Sequence, residues 1–208
     1  MSEFGYIPES PEQSAFNNKG IFKPKDIYNL DQADKWTPQL GQLELIETKT
    51  ASSDSAIDFT SIDETKYNVH FMTVSITDLS SADYLGIRFF ESGVVSTSTV
   101  YQEAYQNCQA NGTFSEIRAT RNQIITTQSN AINSSTNLYI YFYNLGDSSK
   151  YSFVTAHSNG IHTTGNHYNS YWGSGVFAQA SFVNGIRIFG NLGNMTGSLS
   201  LYGIKEYS

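Results

Sequence analysis

The chain has 208 residues, a formal charge of −7 and one cysteine. A single cysteine excludes an internal disulfide and with it a disulfide-stapled fold. Twelve unclustered basic residues against 19 acids exclude a nucleic-acid face, and no run approaches the ~20 apolar residues of a membrane-inserted helix.

All four prolines, Pro8, Pro11, Pro24 and Pro38, fall in the first 38 residues. Proline fixes φ and removes a backbone donor, so it marks chain that turns or runs over a surface. The acidic, proline-broken start MSEFGYIPES is no secretory signal, which implies synthesis in a cytoplasm without export. Phe4, Tyr6, Ile7, Phe16, Ile21 and Phe22 follow neither a helical nor a strand period. Six large apolar residues are too many for a disordered tail and too irregular to bury one another. They read as an extended arm that orders on a neighbouring protein. Asp26–Trp36 reads as a short helix, capped by Asp26 and preceded by Pro24, with Ile27, Leu30 and Trp36 at near-helical spacing. A helix this short needs a partner surface, so these three residues join the arm's six as candidate docking residues. Residues 1–39 thus form one region, an attachment arm.

From Leu43 the period becomes two. Alternation at Leu43–Glu47, Ile57–Thr60, Tyr67–Met72, Tyr84–Glu91, Leu138–Tyr143, Tyr151–His157, Val176–Phe182, Ile186–Phe189 and Leu199–Ile204 predicts short strands bounded by Gly, Asn, Asp and Ser. Nine such strands in proline-free chain indicate an all-β, jelly-roll-like sandwich over residues 40–208. In the central run Leu138, Ile140 and Phe142 point one way, and Tyr139, Tyr141 and Tyr143 the other. That tyrosine face suits a homo-oligomer contact. Residues 99–130 show no clear period.

Candidate chemistry concentrates between His157 and Gly173, which holds three of the four histidines. His157, His162 and His167 are spaced by five, which puts neighbours on opposite faces of a strand, and no carboxylate completes a metal set. Tyr168, Tyr171 and Trp172 could stack on a sugar while Asn166, Asn169 and His167 bond its hydroxyls. The same residues suit a protein contact, and a plain reading is a glycine-rich hairpin loop with Trp172 plugging one end of the sandwich. Asp54, Asp58, Asp63, Glu64, Asp78, Asp83 and Glu91 are scattered and read as solvated punctuation. Cys108 reads as a small buried or half-buried residue. No hydrolase, nucleotide-binding or zinc motif is present, so the expectation is no enzyme, no cofactor and no metal.

The arm from Phe4 to Trp36, with its segment Asp26-Ile27-Tyr28-Asn29-Leu30, resembles the N-termini of small structural proteins of tailed bacteriophages, particularly marine and cyanobacterial ones. Ile57-Asp58-Phe59-Thr60, Tyr67-Asn68-Val69-His70-Phe71 and the ending Leu199–Ile204 extend the resemblance through the β domain. It implies a non-enzymatic virion component, docked through its arm onto capsid, tail or neck proteins and displaying a β module. A capsid decoration protein fits that description. The alternative is a tail-fibre or adhesin module that binds a host-surface glycan.

Overall fold

The computed structural model describes residues 13–14, 17–18, 24–25, 28–29, 43–127, 130–131 and 134–205. The chain divides into two compact units, residues 1–42 and 43–208. In the first, β1 (Gln13–Ser14) pairs antiparallel with β2 (Asn17–Asn18). Residues 24, 25, 28 and 29 are helical. Helical conformation therefore includes Pro24, upstream of the expected start at Asp26. A proline is tolerated in a first turn, whose N–H groups have no intrahelical acceptor. The rest of the expected 26–36 helix lies outside the described residues.

The second unit is all β. Its strands are β3 (Leu43–Asp54), β4 (Ala56–Phe59), β5 (Val69–Leu79), β6 (Leu85–Glu91), β7 (Val94–Val95), β8 (Tyr101–Gln109), β9 (Phe114–Arg121), β10 (Ile124–Ile125), β11 (Thr136–Tyr143), β12 (Ser152–Ile161), β13 (Tyr168–Phe177), β14 (Val183–Gly190) and β15 (Met195–Ile204). They form two antiparallel sheets. The larger has eight strands in the order β3-β15-β5-β11-β12-β13-β8-β9; the smaller runs β10-β6-β14-β4, with β7 also paired to β6. The chain changes sheet at both ends of β4, between β5 and β6, between β7 and β8, at both ends of β10 and at both ends of β14. This wrapping from sheet to sheet is jelly-roll-like, although the two sheets are unequal. The meander β11-β12-β13 stays in the large sheet.

Residues 99–130, without a readable period, contain the hairpin β8–β9 and the short β10. The expected strand over 176–182 is displaced: β13 spans Tyr168–Phe177.

Between the sheets lies one apolar core. Met72, Val74, Ile76, Leu138, Ile140, Phe142 and Leu199 come from the large sheet, and Phe59, Ile87, Phe89, Ile186 and Ile188 from the small one. Phe89 on β6 meets the rings of Tyr101, Phe142 and Phe177 at centroid distances of 6.1, 6.2 and 5.7 Å. The Tyr101 hydroxyl accepts the Phe89 N–H at 3.0 Å and donates to the Ser96 carbonyl at 3.2 Å. Burial pushes the Tyr101 pKa up to about 12, so the donor is retained at any ordinary pH.

Several polar groups are buried and satisfied. Asp83, expected as a solvated acid, is buried and accepts the N–H groups of Tyr84, Leu192 and Gly193. It thereby ties two loops to the end of the sandwich. The Glu103 carboxylate accepts from Arg121 Nε at 2.8 Å and from the Ile125 N–H at 2.7 Å, fastening β9 and β10 to β8. At the start of β3, Glu44 accepts from Tyr67 Oη and pairs with Lys66 and Lys205 at 2.9 and 3.0 Å. Those bonds, led by Tyr67, lower its pKa to about 2.

Two predictions follow from this core. Phe89→Ala removes the ring around which the cluster of Tyr101, Phe142 and Phe177 packs, and should cost about 3–5 kcal/mol in urea unfolding. The second concerns His70, which is buried with Nε2 2.6 Å from the Ile62 carbonyl. Burial lowers its pKa more than the carbonyl raises it. The unfolded imidazole takes up a proton near pH ~6.5, whereas the folded one resists it. The unfolded state then binds more protons, so stability falls as pH drops below about 6.5. A urea-midpoint series across that range should show the slope, and His70→Gln should flatten it.

Candidate functional site

Strand alternation commits one face of the large sheet to the core and leaves the other exposed. The cross-strand register assembles that outer face into rows. One row runs Tyr202, Phe71, Tyr141, Thr155, Ser174, Ala104 across β15, β5, β11, β12, β13 and β8; its neighbour runs Ser200, Thr73, Tyr139, His157, Trp172, Gln106. The flanking rows are Ile204, Val69, Tyr143, Phe153, Val176, Gln102 on one side, and Ser198, Ser75, Asn137, Asn159, Ser170, Cys108 on the other. No Asp, Glu, Lys or Arg occupies any of these outward positions. Six strands at ~4.8 Å spacing make a face about 24 Å wide.

The outer face of the small sheet is built differently. There Arg187 grips Asp58 through two bonds of 2.6 Å. Arg88 and Arg187 lie over the rings of Phe189 and Phe90 at 4.6 and 5.6 Å, which explains why Phe90 and Phe189 are buried although they point away from the core.

Within the neutral face, Tyr139, Thr155, His157, Ser170, Trp172 and Ser174 line a shallow depression of about 640 Å³. Tyr139 and Trp172 flank it, 42% and 36% exposed. His157 lies between them, its ring 5.6 Å from Tyr139 and 6.3 Å from Trp172, edge-on to both. Its Nε2 is 2.8 Å from Ser170 Oγ and its Nδ1 3.3 Å from Tyr139 Oη. In either neutral tautomer one ring nitrogen donates and the other accepts. The imidazole is thereby fixed, and each hydroxyl keeps a further hydrogen-bonding valence pointing to solvent. Phe114 extends the ring system beyond Trp172 at 6.2 Å.

A second depression of similar volume lies by the strand ends and includes Glu64, Asn144, Asp147 and Lys150. Asp147 there accepts from Lys150 and from Ser149, and Asn144 Nδ2 donates to the Tyr151 carbonyl at 3.3 Å.

The sequence-based candidates separate in this frame. Trp172 and Tyr168 share the outer face, and Tyr168 Oη donates to Asn159 Oδ1 at 2.6 Å. Tyr171 does not join them. It points inward, fully buried, and stacks on Tyr105 at 4.6 Å with the rings 10° apart. The expected loop is instead the hairpin β12–β13, so adjacent residues alternate between faces; Trp172 forms part of an exposed row and plugs no end of the sandwich. His167 sits in the connecting turn, where its carbonyl accepts the His162 N–H. Cys108, expected to be at least half-buried, is exposed, because Asn107 takes the inward position on β8. Tyr139 and His157 were not recognised as partners of Trp172 from sequence, since only strand register unites them. The docking residues Phe4, Tyr6, Ile7, Phe16, Ile21, Phe22, Ile27, Leu30 and Trp36 all lie outside the described residues.

Among the described residues, no three His, Cys, Asp or Glu side chains converge to hold a metal ion. No helix among them is long and apolar enough to cross a membrane. No family model matches the chain, and no curated protein matches it. Among solved structures, a protein of unknown function from Shewanella oneidensis MR-1 aligns over 92% of this chain and 100% of its own, at 10% identity and a TM-score of 0.19. A score that low informs neither fold nor function.

The inner residues beneath the groove control its shape. A Cβ on Gly173 would stand 2.3 Å from the Ala104 carbonyl oxygen and 2.7 Å from Tyr105 Cα. Gly173→Ala should therefore push β13 from β8 and cost about 1–3 kcal/mol by overpacking, read as a lowered Tm. Tyr171→Phe tests the opposite case. Its hydroxyl is buried with no hydrogen-bond partner among the described residues, so removing it should leave stability within about 1 kcal/mol or raise it.

Proposed function

We propose that this protein is a non-enzymatic structural component of a tailed-phage virion, held to capsid, tail or neck subunits by residues 1–42 and displaying the sandwich as a binding module. The observation that carries this reading is the pairing of a self-contained sandwich with an uncharged aromatic face six strands wide. The described core is built from buried residues between Ala51 and Leu201. That face exposes Tyr139, Phe153 and Trp172 and half-exposes Phe71, Tyr141 and Tyr143, and a contiguous apolar patch of this kind marks an interaction surface.

The N-terminal unit supports the same reading by composition. Its aromatic and aliphatic residues follow no helical or strand period in the sequence and gain stability by burial against a partner at roughly 1.5–3 kcal/mol per side chain. Ordering the backbone costs ~1–2 kcal/mol per residue, which offsets much of this. Attachment in many copies on a lattice then multiplies a weak contact into a durable one. Display on the particle surface places the outer face where a host-surface molecule meets it.

Deleting residues 1–42 should leave residues 43–208 folded, with a β-type circular dichroism spectrum and a cooperative melt, yet absent from purified particles. Truncated protein that joins particles at the full-length level would refute attachment through this segment. Electron microscopy of the particle then distinguishes a capsid position from a tail or neck one.

A further inference from the structure

We infer that the groove between Tyr139 and Trp172 binds a neutral glycan whose sugar rings lie across β11, β12 and β13. The inference rests on the reading of the outer face as a displayed binding surface, and it specifies the class of ligand.

Three features of the groove select this chemistry. The first is charge: no ionic side chain occupies the outward positions of the six strands. The nearest ones, Glu116 and Arg118 on β9, pair with each other at 3.6 Å. An anionic polymer would lose its hydration there without a cation to replace it. A neutral one loses only hydroxyl hydration, which the groove returns.

The second feature is spacing. Tyr139, His157 and Trp172 are direct neighbours on successive strands, so they stand ~4.8 Å apart along the row. That step is comparable to the length of one pyranose unit. Tyr139 and Trp172 therefore stand two steps, ~9.6 Å, apart along the row and each can meet a sugar, while His157, edge-on to both, offers its hydrogen-bonded hydroxyl partners between them. Stacking on such rings uses the apolar face of the sugar and the π-face of the aromatic group.

The third is hydrogen bonding. Thr155, Ser170 and Ser174 are small, hydroxyl-bearing and adjacent to the taller Tyr139 and Trp172. The chain Tyr139 Oη–His157–Ser170 Oγ holds both terminal hydroxyls in place and leaves each with a valence for a ligand hydroxyl. The apolar outer row through Val69, Tyr143, Phe153 and Val176 has the opposite character and serves as an internal control.

The test uses the full-length protein in native gels containing dextran, mannan or galactan, in parallel with gels containing anionic alginate. At least one neutral polysaccharide should retard the wild type, alginate should not, and added salt should leave the retardation unchanged. Trp172→Ala should weaken retardation at least tenfold, Trp172→Phe should retain part of it, and Phe153→Ala should behave as wild type. Equal melting temperatures show that the variants fold. In a Trp36→Phe background Trp172 is the sole tryptophan, and its emission should shift on adding the retarding polysaccharide. The inference is overturned if no neutral polysaccharide retards the wild type, if alginate alone does, or if Trp172→Ala is retarded equally. It is also overturned if Trp172→Ala is lost from particles while the wild type ignores every polysaccharide, since the groove would then be a protein contact. Failure in the gels with particle attachment through residues 1–42 intact removes the glycan and leaves the display reading standing.

Discussion

The contact between Phe89 and Tyr101 decides how the two sheets sit. Phe89 enters from the small sheet among three rings of the large one, and Tyr101 answers with a hydroxyl that accepts the Phe89 backbone N–H. Aromatic packing alone tolerates sliding, whereas a buried hydrogen bond to a specific backbone group does not. The pair therefore fixes position as well as adhesion. Once Tyr101 points inward on β8, alternation turns Gln102, Ala104, Gln106 and Cys108 outward. Antiparallel register then carries the same choice through β13, β12 and β11. Trp172 and Tyr139 are exposed in a single row, with the half-buried His157 between them, because Tyr101, Tyr171 and Ile140 are buried.

The parts of this architecture that could be read from sequence are those where the inward residues are apolar. Leu138, Ile140 and Phe142 against Tyr139, Tyr141 and Tyr143 is such a case, and the structure follows it residue by residue. Strand β8 is the opposite. Its inward positions are Tyr101, Glu103, Tyr105 and Asn107, so hydrophobic alternation is broken by a carboxylate and an amide. Glu103 is tolerated inside because Arg121 and the Ile125 N–H meet it, and those partners lie 18 and 22 residues downstream. No local pattern reveals them. Strand β13 hid for a different reason: Asn, Ser and Gly give it loop composition. Gly175 lies inward and leaves room for Ile124, whose side chain a Cβ there would meet at 2.9 Å.

The site was legible only as a density of aromatic and polar residues near Trp172. Composition drew attention to the correct strand but could not assign faces, so Tyr171 entered the candidate set although its ring stacks on Tyr105 in the interior. Tyr139 and His157 stayed outside it because each strand of the meander looks unremarkable alone. A groove formed by one residue from each of three strands leaves no motif in the chain. It leaves only the requirement that three alternations be in phase, which the tight pairing of β11, β12 and β13 imposes.

The distribution of charge separates this neutral face from a mere shortage of ionic residues. The outermost strands of the large sheet are well supplied: Glu44, Glu47 and Lys49 on β3, and Glu116, Arg118 and Arg121 on β9. Edge strands need such groups, because unpaired N–H and C=O groups invite pairing with another chain. The small sheet places Asp58, Arg88 and Arg187 on its outside and uses the guanidinium groups to cover Phe90 and Phe189. Charge thus stands at both edges of the large sheet and across the back of the small one. It is withheld from the outward rows of the six strands between. Exposed aromatic groups without charges to solvate them are a liability for any isolated protein, and a fold that shields Phe90 with Arg187 has the means to shield Trp172 as well. Leaving Tyr139 and Trp172 exposed on either side of the half-buried His157, beside the hydroxyls of Thr155, Ser170 and Ser174, is the arrangement expected where a neutral ligand must reach them.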